Sequence, residues 1–222
     1  MEQFINHAML APNVVTAGVD AAIVREFAAL AAAKRDEGDF AAVDPTWSSD
    51  LKWISANRPE TFALFERAFE RLDVARHVAQ YLGVDERARL FAGFLLIRPR
   101  CDAPHFHVDW SVSNNQAFTC ITPVTDNSAD FGLLYHKLTG ETGEYRYEVG
   151  EAIIFGDHFS HSTKPGRSHA PVVLLCFQFG TDRMADWPPI LASADTQSKL
   201  IRQPDGSFLR IGEGVSERSI KR

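Results

Sequence analysis

Residues 90–109 read LFAGFLLIRPRCDAPHFHVD: an apolar run of strand character, a polar bend at Pro99 to Pro104, and the triplet His107-Val108-Asp109. In an extended chain alternate side chains share a face, so His107 and Asp109 are expected to project together. That pairing fits the grip on a single metal ion, and the same two-residue rule adds His105 as an alternative ligand or pocket-lining residue.

Outward from this stretch the chain changes texture on either side. Upstream, residues 20–34, DAAIVREFAALAAAK, are rich in helix formers with apolar residues at helical spacing, and predict one helix. A second is predicted from Pro59, tolerated in a first helical turn, to Gly83, with a further turn at 85–89. Its stripe of Phe62, Phe65, Phe69 and Leu72 reads as a face packed on the rest of the fold. Between the helices, Gly38-Asp39 and Asp44-Pro45 interrupt the pattern, and the segment bracketed by Trp47 and Trp53 reads as loop or a single turn.

Downstream, short β-rich runs alternate with turn residues. Strands are expected at 91–98, 105–110, 116–123, 131–136, 145–149, 152–155, 161–164 and 172–179. Helices followed by evenly spaced strands predict a closed or nearly closed antiparallel sandwich or barrel with the helices packed on it, of class α+β with a mainly β core. After Asp186-Trp187-Pro188-Pro189, the segments KLIRQ and SFLRI flank Pro204-Asp205-Gly206 as a hairpin. A single domain over 1–222 is expected: 1–89 as helical support, 90–180 as the core and 181–222 as an arm with the hairpin.

Composition narrows the function classes. The 222 residues carry 23 Lys plus Arg against 29 Asp plus Glu, a net charge of −6, with no basic run, so nucleic acid is not an expected partner. The N-terminal stretch lacks a positive region followed by an apolar core, and no long apolar span follows, so a cytoplasmic protein without membrane attachment is expected. The 3 cysteines, Cys101, Cys120 and Cys176, have no CxxC spacing and read as thiols, not as a disulfide or zinc framework.

A second histidine-bearing segment, GEAIIFGDHFSHSTKPGRSHAP, runs from Gly150 to Pro171. Its His161 opens a predicted strand, with His158 as the alternative in the turn before it. Two histidines and one carboxylate on one face of a metal leave the other positions open, the arrangement non-haem Fe(II) oxygenases use, whereas zinc more often takes three or four His/Cys ligands.

On these residues the region from about Leu90 to Phe179 resembles the double-stranded β-helix Fe(II)/2-oxoglutarate oxygenases, and within them the phytanoyl-CoA hydroxylase-like group. IRPR ahead of HFHVD is similar to that group's Lys-Pro segment before its His-x-Asp. Gly150, His161, Pro165, Ser168 and Pro171 follow in register with its distal element. The resemblance implies a jelly-roll, cupin-like barrel, with His107, Asp109 and His161 as catalytic iron ligands. It also implies 2-oxoglutarate as co-substrate, and O2-dependent hydroxylation or desaturation of a small molecule with release of succinate and CO2. Because His-x-Asp retains a third protein ligand, halogenation is disfavoured.

One feature departs from the pattern. Where an Arg is expected at the start of the last strand to hold the distal carboxylate of 2-oxoglutarate, this chain reads Ala170-Pro171-Val172-Val173. A buried dianion still needs a cation or several donors. Arg98 is the first substitute, with the parity to face inward beside Phe94 and Leu96; Arg167, Lys137 and Arg146 follow.

A cupin-like metal dioxygenase or isomerase that does not use 2-oxoglutarate is the alternative enzyme reading. His105-Phe106-His107 supplies a His-x-His pair for it, although Ser111 stands where such a site expects glutamate. A non-catalytic ligand-binding barrel is the third. Trp110 reads as core, Asn114-Asn115-Gln116 as a loop that frames a substrate, and Asp126 and Asp130 as a solvated turn. His7, His77, His136 and His169 read as surface or packing residues.

Overall fold

The computed structural model describes residues 14–33, 38–43, 50–194 and 197–211; the expected helix end at Lys34, the break at Asp44-Pro45, the expectation at Trp47 and the role of His7 lie outside them. Two antiparallel sheets face each other. The larger contains β1 (Val14–Gly18), β2 (Phe40–Val43), β3 (Lys52–Ala56), β4 (Arg89–Cys101), β5 (Ala117–Pro123), β8 (Glu151–Phe155) and β10 (Gly166–Gly180), in the order β1-β8-β5-β10-β4-β3-β2. The smaller has the order β7-β6-β9, from β6 (Gly132–His136), β7 (Thr142–Arg146) and β9 (His161–Thr163). The chain passes from β5 to the small sheet, returns in β8, crosses again in β9 and returns in β10, which winds the pair as a double-stranded β-helix.

Strand parity explains this layering. Leu95 of β4, Cys120 of β5, Ile154 of β8 and Val173, Leu175 and Phe177 of β10 turn to the outer face of the large sheet, where α1 (Ala21–Ala32) and α2 (Pro59–Leu72) cover them. Phe94, Ile121, Ile153, Phe155, Leu174 and Cys176 turn inward, toward Leu133 and Phe159. Both faces of β10 are therefore dry, which is why residues 172–177 read as an unbroken apolar run rather than an alternation.

The predicted stripe on α2 packs as expected: Phe69 lies 5.9 Å from Phe177 and 5.1 Å from Phe179, and Phe65 lies 5.3 Å from Phe27 of α1 (ring centroids). α1 is capped by Asp20, whose carboxylate accepts from the Ala22 N–H at 2.8 Å. The hairpin of β11 (Leu200–Arg202) and β12 (Phe208–Arg210) turns through Gly206 at φ 88°, a conformation open to glycine.

Several expected elements differ. The second helix stops at Leu72 because Asp73 takes φ 50°; a separate turn, α3 (Ala75–Val78), follows, and 85–89 are not helical. Residues 1–89, expected as helical support, contribute β1, β2 and β3 to the large sheet, and Trp53 lies in a strand, not a loop. Strand β7 is shifted toward the N-terminus relative to 145–149, its register set by pairing Tyr145 with Leu133, so Tyr147 leaves the sheet. A helix not expected from the sequence, α4 (Trp187–Ala194), begins at Trp187-Pro188-Pro189, the prolines being compatible with a first helical turn. Among the described residues no helix is long and apolar enough to cross a membrane.

Candidate metal centre

Residues 105–110 do not form the expected strand. Pro104 has no N–H to give, the His105 N–H goes to the Ser162 hydroxyl at 2.7 Å, and the only ladder contact is a two-bond bridge to β9. In that bridge the His107 N–H donates to the His161 carbonyl at 3.0 Å and the His161 N–H returns to the His107 carbonyl at 2.9 Å. The bridge itself sets the two imidazoles 4.4 Å apart, centroid to centroid. Asp109 joins them by a bend rather than by strand pleat.

Neighbouring loops clamp the two halves. The His158 N–H, in a turn with φ 64°, donates to the Trp110 carbonyl at 2.9 Å. Buried Asp157 accepts from the Ser113 hydroxyl and, at 3.1 Å, from the Asn115 N–H.

His107, Asp109 and His161 bring one ligand atom each to within 4.8 Å of one another. Their tautomers follow from their partners: Nδ1 of His107 lies 3.0 Å from the His105 carbonyl, and Nδ1 of His161 lies 3.0 Å from the Phe159 carbonyl. A carbonyl only accepts, so each Nδ1 carries the proton and each Nε2 presents a lone pair. Both Nε2 atoms face Oδ1 of Asp109, at 3.5 Å from His107 and 3.8 Å from His161. Its Oδ2 accepts from the Thr119 hydroxyl at 2.7 Å.

Burial works against ionising Asp109, but the charge of His161, the hydrogen bond and charge of His107 and the Thr119 hydroxyl outweigh it, holding the carboxyl well below the usual carboxylate range. Burial pushes His161 down toward the neutral form. At His107 burial acts the same way, but Asp109 prevails and the group is raised. A carboxylate and an imidazole lone pair are thus directed at one point, with a proton on His107 as the ion's competitor. The residues fit a divalent cation bound through two nitrogens and one oxygen.

The triad opens on a cavity of about 220 Å³ between the sheets. Its walls are mostly apolar, including Trp53, Phe94, Ile121, Leu133 and Leu174. Arg98 lines it as the inward parity predicts, beside Phe94 and Leu96, with only 7% of its side chain exposed. Its Nε donates to the Arg100 carbonyl at 2.9 Å and its Nη2 to Asp50 at 3.4 Å. The Cα partner of Arg98 on β10 is Val172, within the very segment where the anchoring arginine was missing.

The other cation candidates are not brought to this cavity. Arg167 is 75% exposed and pairs with Asp102, Lys137 pairs with Glu141, and Arg146 pairs with Glu144. His105 lines the cavity, 6.1 Å from the His107 ring, but stays outside the triad, and His158 points elsewhere from its exposed turn. His136 stacks on Phe106 at 4.1 Å. Asn114 and Asn115 form a left-handed turn, and Gln116 ties down the segment after α3 through the Tyr81 carbonyl and Gly83 N–H, so this loop does not line the cavity. Asn127 of the 126–130 turn donates to Ser168 and to the Ala170 carbonyl.

Sequence reading missed Thr119, Tyr147 and Gln197 in the cavity wall. Parity on β5 puts Thr119 on the face of Ile121, which was available in principle. Tyr147 and Gln197 lie outside strands, where no period applies.

No protein-family profile and no curated protein matches the sequence. Solved structures do resemble the chain. It is similar to a 2OG-Fe(II) oxygenase family oxidoreductase from Burkholderia pseudomallei (TM-score 0.58, 12% identity, covering 77% of this chain and 85% of that one). The fold is one that oxygenases of this kind share. A second resemblance is to HygX from Streptomyces hygroscopicus, solved with nickel, 2-oxoglutarate and hygromycin B bound (TM-score 0.56, 13% identity, 76% and 83%). A third is to a Pseudomonas putida prolyl-4-hydroxylase (TM-score 0.53, 15% identity, 76% and 92%). At these identities the likeness is one of fold.

Proposed function

We propose that this chain is a single-domain, non-haem Fe(II)/2-oxoglutarate-dependent oxygenase that hydroxylates or desaturates a small-molecule metabolite with O2, releasing succinate and CO2. The observation that carries this reading is the His107-Asp109-His161 triad at an apolar cavity whose wall holds buried Arg98. The fold neighbours that bind 2-oxoglutarate with a metal support it. A reducing cytoplasm suits three free, buried thiols.

His107, Asp109 and His161 would hold iron, which supplies O2 activation coupled to oxidative decarboxylation of the 2-oxo acid. The chain's own residues do the rest. The Nδ1–H bonds to the His105 and Phe159 carbonyls keep both Nε2 lone pairs aimed inward. Arg98 binds the distal carboxylate of the co-substrate, reaching from β4 to the level of Val172. Trp53, Phe94, Ile121 and Leu174 exclude water from the space between. Since the triad retains its carboxylate, substrate hydroxylation or desaturation is favoured over halide transfer.

Anaerobic protein loaded with Fe(II) should develop a weak visible charge-transfer band on addition of 2-oxoglutarate. His107→Ala and His161→Ala should each abolish it. If wild-type protein binds Fe(II) but shows no band, a cupin-type metal enzyme independent of 2-oxoglutarate takes the place of this reading.

A further inference from the structure

Only one oxygen of Asp109 faces the imidazoles. Oδ1 is the atom 3.5 and 3.8 Å from the two Nε2 atoms, whereas Oδ2 accepts the 2.7 Å bond from the Thr119 hydroxyl. Thr119 in turn accepts, at 3.0 Å, from the indole N–H of Trp110. The direction of this relay is forced. An indole nitrogen only donates, so Trp110 occupies a lone pair of Thr119 and leaves the single hydroxyl proton for Oδ2. The loop is also closed through the backbone, because Trp110 is the residue after Asp109.

Burial makes the relay matter. Thr119 is 2% and Trp110 1% exposed, and the Asp109 side chain is 7% exposed, so neither the hydroxyl nor the indole N–H has water to turn to. Position 119 sits in the strand AFTCITP, all of it buried and apolar apart from Thr119 and Thr122. A valine of nearly the same shape would satisfy packing there, but it would orphan a buried indole donor and release Oδ2. A carboxylate with both oxygens free can chelate a metal through the pair and take one more coordination position. At a site with three protein ligands, that extra position comes from those needed by a chelating 2-oxo acid and O2.

Resting on the metal-centre reading above, we propose that Thr119, oriented by Trp110, is a positioning residue that holds Asp109 as a one-oxygen metal ligand and so keeps the open coordination positions open. Thr119 lies in the cavity wall, but the role assigned to it runs through its hydrogen bond to Asp109. It acts through Oδ2 of Asp109 alone.

Co(II) is the probe, since its visible d–d absorption reports coordination number without turnover. The metal-free full-length protein is titrated with Co(II) without oxygen as wild type, Thr119→Val, Thr119→Ser and Trp110→Phe. The expected result is a loss of Co(II) affinity of about ten- to hundredfold in Thr119→Val, with a changed d–d spectrum. Thr119→Ser should restore both, and Trp110→Phe should shift both part of the way. A purely structural role would lower the unfolding midpoint of Thr119→Val and leave its Co(II) affinity and spectrum as in wild type, and that result overturns the inference. Should Thr119→Val not fold, Trp110→Phe decides: a spectrum identical to wild type overturns the relay. Failure of the underlying reading looks different, because wild-type protein would then bind no Co(II) at all.

Discussion

Replacing Arg98 by methionine removes a guanidinium while keeping an unbranched apolar stem in its place. In the native chain that guanidinium is 7% exposed and bonded to the Arg100 carbonyl and Asp50, with Nη1 carrying no bond to a described residue. If Nη1 and the second proton of Nη2 hold the distal carboxylate of 2-oxoglutarate, their loss removes charge-assisted bonds of about 1.5–3 kcal/mol in all. At about 1.4 kcal/mol per factor of ten, affinity falls roughly ten- to hundredfold. The same change takes the guanidinium away from Asp50, which is 15% exposed, and lowers stability by up to about 3 kcal/mol. The double variant Asp50→Asn/Arg98→Met should recover most of that stability without recovering affinity, which separates the two effects.

Calorimetric titration of the Mn(II)-loaded protein without oxygen is the assay, with 2-oxoglutarate and 2-oxobutyrate as ligands. The second has the chelating 2-oxo acid head and no distal carboxylate. Arg98→Met should bring 2-oxoglutarate down toward 2-oxobutyrate, whose own affinity stays put. If both ligands weaken equally, or neither does, Arg98 does not read the distal carboxylate and the argument from its register with Val172 is wrong.

Three further outcomes test the fold around the site. Burial pushes the Cys120 thiol up to about 12 and raises Cys101 and Cys176 as well, so the folded protein at pH 8 should react with a thiol reagent far more slowly than a free cysteine, and all three thiols should titrate promptly in guanidinium. A Cβ on Gly93 would overlap the Phe65 ring where α2 crosses β4, so Gly93→Ala should cost about 1–3 kcal/mol, read as a lower urea midpoint at unchanged m-value. Burial alone would raise Asp182, but it accepts from the N–H groups of Asp85, Glu86 and Arg87, and the net effect lowers its carboxyl below the ordinary value. Its contribution is therefore present above the unfolded-state pKa near 3.9 and disappears as pH falls through the lower folded value. Asp182→Asn should cost about 1 kcal/mol at pH 7, discounted for solvent exposure, and little at pH 2, by denaturant titration at both.

Much of the site was legible along the chain because the three residues of the triad lie in two short segments. His107 and Asp109 are two residues apart, and His161 opens a strand that turn residues delimit. Arg98 was legible for the same reason: inward parity holds along β4 from Phe94 to Arg98, and β4 stays in register with β10 from Ala92 to Arg98. Parity failed at His105. Residues 105–110 are not pleated, since Pro104 and the Ser162 contact divert the backbone from a ladder, and His105 drops out of the triad for that reason. Arg167 and Lys137 were plausible only as nearby cations; which cation reaches a buried cavity depends on sheet packing, and theirs point to solvent-side acids.

Periodicity and turn chemistry, both local, were enough to determine the strand-rich core, the α2 stripe, the hairpin at Gly206 and the residues of the triad. Those properties depend on neighbours a few residues away, so a linear string contains them. The three N-terminal strands carry no local signal of the sheet they join, because β1, β2 and β3 are recruited by the edges of β8 and β4. The same holds for the relay from Trp110 to Thr119 to Asp109 and for the meeting of Arg98 with Val172. Each joins residues whose closeness exists only once β4, β5 and β10 lie side by side, and that decision belongs to the packed sheets.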